Sequence, residues 1–184
     1  MTSIVNQQSK FSTKEQLRLN ARKHVESGAV TQTYTLDRHK VIELLNAALA
    51  SEWVCVLRYL RHYYMAAGLM MDPIKGEFLE HAKQEQQHAD MLAERITQLG
   101  GAPDLNPAVF TERSPTEYHE GTDLQEMIKE NLISERIVID YYREVILYVG
   151  DQDTTTKRII EHILAEEEDH ADELANMLQG WTGK

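Results

Sequence analysis

The chain predicts an all-α protein: four long helices in one bundle, a long connection between the second and third, and an N-terminal arm in front. Three observations carry this. Four stretches, about residues 37–67, 72–99, 122–149 and 153–179, repeat apolar side chains at steps of three and four. Pro103, Pro107 and Pro115 all lie between Gly100 and Gly121, where no helical period is sustained. The connections then differ sharply in length, which sets the topology.

The arm, residues 1–36, holds Ser12-Thr13-Lys14-Glu15, a candidate capping box for a short helix ending near Gly28. Leu17 and Leu19 make no strong apolar stripe, so this arm is expected to be ordered mainly by contacts outside the bundle. The bundle itself is assigned to residues 37–180. Its first two helices are joined by a few residues around Gly68, and Asp72-Pro73 reads as a cap followed by the first helical position. The last two are joined by Gly150-Asp151-Gln152, so each pair is expected to form an antiparallel hairpin. The middle connection of about 21 residues is long enough to run back along helices of about 40 Å.

At 184 residues with 42% hydrophobic content, the chain suits one sizeable core. No apolar run reaches membrane-span length, and the N-terminus lacks the apolar centre of a secretory signal. Cys55 alone excludes an internal disulfide and any Cys-based zinc or iron–sulfur site within one chain. It sits in an apolar stretch, as a buried inert thiol would, and a reducing cytoplasm is the expected location. The net charge of −11 is unevenly spread. Residues 1–24 carry Lys10, Lys14, Arg18, Arg22 and Lys23 against Glu15 alone, so this stretch is +4 and the remainder −15. An acidic body suits cation traffic, and a basic arm suits DNA or a neighbouring subunit.

The buried faces carry the chemistry. Read at helical steps, they are Leu45, Leu49, Glu52, Val56, Tyr59, Tyr63; then Phe78, His81, Glu85, His88, Leu92, Ile96; then Ile128, Leu132, Glu135, Ile139, Tyr142, Ile146; and Ile160, Ile163, Glu167, His170, Leu174, Met177. Each stripe is interrupted near its middle by ionisable groups. Two Glu-x-x-His pairs, Glu85/His88 and Glu167/His170, each follow a lone Glu, with 33 residues from Glu52 to Glu85 and 32 from Glu135 to Glu167. Four carboxylates brought together in a dry interior repel one another. Two dications remove the repulsion, and the imidazoles complete a mixed nitrogen and oxygen ligand set suited to iron or manganese. By pseudo-two-fold logic Glu85 and Glu167 bridge the ions, Glu52 and His88 finish one, and Glu135 and His170 finish the other.

Other residues read more plainly. Tyr59, two turns past Glu52, reads equally as a residue that hydrogen-bonds a ligand or supplies an electron and as a core tyrosine with a satisfied hydroxyl. His81, one turn before Glu85, is open to a place behind the cluster or in an extra site, with an ordinary helix residue favoured, and the run Glu166, Glu168, Asp169 reads as a solvated face. Trp53, Met65, Met70 and Met71 read as core or subunit interface, while His62, His119 and His162 show no pattern.

With these residues in hand, the chain resembles the bacterioferritin branch of the ferritin superfamily over roughly residues 37–180. The resemblance rests on Glu52 in ALASEWVCVLRY, Glu85 and His88 in KQEQQHAD, Glu135 in LISERIVIDYY, and Glu167 and His170 in AEEEDHADEL, with Tyr59 at the place of the family's site tyrosine. It implies a ferritin-like fold and a ferroxidase binding two Fe per subunit, with Mn or Zn as substitutes. Fe(II) would be oxidised by dioxygen or peroxide and stored as ferric mineral in a hollow homo-oligomeric cage. Haem-binding members carry Met directly after the second-helix Glu; Gln86 stands there, so no haem is expected. Only 14 residues follow His170, too few for the family's fifth helix, and the added arm looks more like the Dps-like proteins. A twelve-subunit cage is therefore expected over one of 24. The alternatives are another di-metal carboxylate enzyme (a peroxidase, a manganese catalase or an oxygenase) and a DNA-binding protection protein.

Overall fold

The computed structural model describes residues 11–66 and 72–181, which form six α-helices and two short 3-10 turns. Residues up to Thr35 and from Leu36 onward form two separate compact units. Met70 and Met71 lie outside the described residues.

In the first unit, α1 spans Lys14–Asn20. Its cap is Thr13, whose hydroxyl accepts from the Gln16 backbone amide at 3.2 Å, rather than Ser12 paired with Glu15. The helix also stops well short of Gly28. His24 adopts the left-handed conformation (φ 51°), and a 3-10 turn over Val25–Ser27 follows. With no buried residue in α1, nothing repays extending a short helix past its second turn.

The second unit contains α2 (Arg38–Met65), α3 (Asp72–Gln98), α4 (Phe110–Arg113), α5 (Leu124–Val149) and α6 (Thr154–Trp181). Local sequence starts each where it does. The Asp37 carboxylate accepts from the His39 and Lys40 amides, and Asp123 accepts from the Glu126 amide at 2.9 Å. Asp153 accepts from the Thr156 amide and from Arg95, tying the end of α3 to the start of α6. Gly150, at φ 49°, closes α5 in a conformation few other residues adopt.

The long helices pack as α2 with α3, α3 with α6, α6 with α5 and α5 with α2. Cross-helix contacts fix the directions. Tyr141, late in α5, donates to the Leu44 carbonyl early in α2, while Arg58, late in α2, meets Asn131 early in α5. Each neighbour is therefore antiparallel, and the chain must travel the bundle's full length between α3 and α5. It does so along α2. Asn46 holds Ala102 and Asp104, Trp53 stacks on Phe110 at 6.3 Å, and Arg58 and His62 reach the carbonyls of Glu117 and His119. Gly101 is required here, because a Cβ would lie 2.8 Å from Ile42. The crossover was expected to lack helix, yet it holds a 3-10 turn and α4, organised by burial of Phe110 against Ala50 and Val54.

Apolar layers fill both ends of the bundle. Leu45, Leu92, Ile96, Val145, Ile160 and Ile163 are buried towards one end. Tyr59, Phe78, Ala82, Met127, Ile128 and Leu174 cluster towards the other. Between the layers lies a polar band. Arg58 is fully buried, donating to Asn131, Ser134 and the Glu117 carbonyl. Cys55 is a buried free thiol 3.4 Å from Arg58, and burial, reinforced by the nearby carboxylates, pushes it well above the usual thiol range.

Candidate metal centre

Helical spacing brings Glu52 of α2, Glu85 and His88 of α3, Glu135 of α5, and Glu167 and His170 of α6 to the middle of the bundle. All six are buried, at 2% exposure or less. Their ligand atoms fall into two overlapping groups, each within 4.8 Å: Glu52, Glu85, His88 and Glu167, and Glu85, Glu135, Glu167 and His170. Glu85 and Glu167 belong to both. Every residue singled out as a ligand from sequence thus reaches the same small volume.

The volume is short of partners. Both oxygens of Glu52 and of Glu85, one oxygen each of Glu135 and Glu167, and His170 Nδ1 are buried without a hydrogen bond. Such atoms are ordinarily satisfied in a folded protein. Seven of them converging on one volume form a donor set that could hold cations. The protein's own electrostatics say the same. Burial, reinforced by the charges on Glu167 and Glu85, pushes Glu52 well above the usual carboxylate range. Burial pushes Glu135 up as well, again helped by Glu85 and Glu167. Burial opposes charge on Glu85 too, but His170 and His88, at 3.4 and 3.6 Å, outweigh it and hold Glu85 low. In return, and against their own burial, His88 is raised and His170 is pushed up to about 11. Two imidazolium rings supply positive charge where dications would supply more.

Both rings are oriented the same way. His88 turns Nδ1 to the cluster, 3.1 Å from Glu167 and 3.4 Å from Glu52. His170 turns Nδ1 to Glu167 at 3.3 Å and Glu85 at 3.4 Å. The outer nitrogens find partners on the opposite helix: His88 Nε2 lies 2.6 Å from Glu166 Oε2, and His170 Nε2 lies 3.0 Å from Gln84 Oε1. Such an outer acceptor fixes the ring and strengthens the inner nitrogen as a donor to metal. Glu166 is thus not simply part of a solvated face. The signal was present in sequence, since Gln84 and Glu166 each directly precede a Glu-x-x-His, but the partner is on the other helix and no local pattern announces it.

Tyr59 donates a hydrogen bond to Glu135, and its hydroxyl is raised well above the usual range by burial and that carboxylate. His81 departs from the ordinary helix residue expected. It is buried, its ring stacks on His170 at a centroid distance of 4.1 Å, and it meets the Tyr59 edge at 5.1 Å. His62 is also buried, bonded to Asn131 and the His119 carbonyl, with its pKa lowered to about 4 by burial and Arg58.

Comparison with known proteins identifies the family. The family model described as the ferritin-like domain matches residues 42–182. A bacterioferritin of Rhodobacter capsulatus is 31% identical over 140 residues, covering 76% of this chain and 83% of that protein. A solved structure of a dodecameric thioferritin, the bacterioferritin-related protein of Bacteroides fragilis, superposes with a TM-score of 0.77 at 37% identity, covering 80% of this chain and 89% of that one. Dps from Thermosynechococcus elongatus shares the fold, with a TM-score of 0.73 at 20% identity over 76% of this chain and 90% of that chain. Two overlapping carboxylate and imidazole groups at the centre of a long-crossover bundle, together with these matches, make this chain a member of the ferritin-like domain family, on its bacterioferritin and Dps-like branch.

Proposed function

We propose that the protein is a ferroxidase that oxidises Fe(II) at a dinuclear site within each subunit and stores the ferric product in a hollow homo-oligomeric cage. The observation that carries this is the convergence of buried, unpartnered carboxylate oxygens shared between two ligand groups. In this reading Glu85 and Glu167, which belong to both groups, would be shared by the two ions, with Glu52 and His88 holding one, and Glu135 and His170 the other. Each Fe(II) gives up one electron, and the pair reduces dioxygen to hydrogen peroxide or peroxide to water; the carboxylates stabilise the extra charge on the ferric product. Holding two ions side by side matches a two-electron oxidant, and consuming Fe(II) with peroxide protects against oxidative damage. Tyr59 donates to Glu135 and so holds that carboxylate in place.

The assembly belongs to the same proposal. Leu57, Tyr64, Met65, Ile133, Leu147 and Tyr148 are large apolar side chains exposed on α2 and α5, as faces covered by further copies would be. The relatedness to a protein described as dodecameric favours twelve subunits. No described helix is long and apolar enough to cross a membrane, and a cytoplasmic location fits the reduced thiol. The basic arm is the part that would touch DNA; a gel shift across salt concentrations, with and without residues 1–28, tests it.

The deciding experiment mixes Fe(II) with dioxygen or peroxide in stopped flow, for the wild type and Glu85→Ala, and counts iron retained per subunit. Rapid oxidation lost in the variant, with many irons stored by the wild type, supports the proposal. Uptake stopping at two irons per subunit would point instead to a di-metal peroxidase, manganese catalase or oxygenase.

A further inference from the structure

The seam between α3 and α6 carries metal-ligating groups beyond the six already described. Glu77, His81 and Glu173 each offer a ligand atom within 4.8 Å of the others. His81 points Nε2 into this group, 2.8 Å from Glu173 Oε2. The ring is 1% exposed, and its Nδ1 has no hydrogen-bond partner. Two carboxylates held this close to one another repel unless a positive charge lies between them. Two Glu and one His also repeat the donor chemistry of the neighbouring cluster, suited to the same divalent ions.

Position adds to composition. Glu77, His81 and Glu85 follow one another at four-residue steps, so α3 presents them along a single face. On α6, Glu173 follows His170 by one turn. The group therefore forms a graded path: Glu173 has 53% of its side chain exposed, His81 is buried, and the His81 ring stacks on the ring of His170. A dication bound at the mouth would be partly dehydrated one turn from the cluster. From these observations we propose that Glu77, His81 and Glu173 form a third divalent-cation site, which admits Fe(II) from solvent to the dinuclear centre. The admitting role rests on the reading of that centre as dinuclear; the third site itself does not.

The test uses the assembled protein crystallised and soaked without oxygen in Zn(II), read by anomalous scattering, for the wild type and the Glu77→Gln/Glu173→Gln double variant. Three peaks per subunit are expected in the wild type, one of them among Glu77, His81 and Glu173. The variant should keep the two central peaks and lose that one. With Fe(II) as the probe in solution, the concentration giving half-maximal initial oxidation should rise about tenfold in the variant, as loss of local cation enrichment predicts. Central peaks in the wild type without the outer one, or an outer peak that survives in the variant, would overturn the third site. An outer peak lost with no change in the Fe(II) dependence would overturn its admitting role. Absence of the central peaks would instead count against the dinuclear reading, whatever the outer position shows.

Discussion

The α2–α3 half of the centre and the α5–α6 half are alike in their ligands and different in what stands behind them. Each half supplies one lone Glu and one Glu-x-x-His. Behind His88, however, stands the carboxylate of Glu166 at 2.6 Å, whereas behind His170 stands the neutral amide of Gln84 at 3.0 Å. The lone carboxylates differ in the opposite sense: Glu135 is held by the Tyr59 hydroxyl, while neither oxygen of Glu52 has a hydrogen bond. A charged acceptor makes the imidazole a better donor to metal, and a hydroxyl on a carboxylate competes with metal for its lone pairs. The lesson is that a repeated ligand pattern does not make equivalent sites. The ion beside His88 should bind more tightly than the ion beside His170.

The largest break should come from removing what the halves share. Glu85→Ala is expected to abolish binding of both ions and slow Fe(II) oxidation by more than about 100-fold, whereas Glu52→Ala should still bind one ion; anaerobic titration with Co(II) counts them. Next in size, Glu166→Gln should weaken the tighter ion by about 10- to 100-fold, while Gln84→Leu weakens the other by less. Equal effects from the two would remove this asymmetry. Tyr59→Phe should act on one half alone. It leaves Glu135 without a donor, costing the metal-free protein about 1–3 kcal/mol in denaturant unfolding, and the ion count should stay at two.

Proton release sharpens the comparison further. With His88 raised and His170 near 11, both rings are protonated at neutral pH before metal binds. Glu52 and Glu135 are also held towards the protonated form, so loading the centre should release at least about two protons per subunit, read with an indicator dye, and metal affinity should fall as pH falls. The smallest effect lies outside both halves, at His62. Its pKa of about 4 in the fold sits below its ordinary value, so only the unfolded chain takes up a proton between about pH 6.5 and 4. Stability should therefore fall as pH drops through that window and level off below it. His62→Gln should flatten this limb of the urea stability curve; an unchanged limb would show that His62 does not govern it.

The interval of 33 residues in one half and 32 in the other placed four glutamates and two histidines at matching heights, because helical rise converts spacing directly into position. For the same reason the four long helices were legible almost to their ends. Local capping was harder to read: Thr13 rather than Ser12 caps α1, since either side chain has the needed oxygen. The crossover's own helix was missed because its stabilisation comes from Phe110 seated on α2, a contact at long range.

What the sequence determined by itself was therefore periodic: the all-α class, the hairpin pairs, and the six candidate ligands recurring on inward faces. Only tertiary structure decided which helix stands across from which. That choice put Glu166 behind His88, Gln84 behind His170, and His81 against His170 with Glu173 beside it. Each is a contact between residues 78 to 92 positions apart. Helical periodicity fixes the direction of a side chain relative to its own axis, but its partners depend on how the neighbouring axes pack.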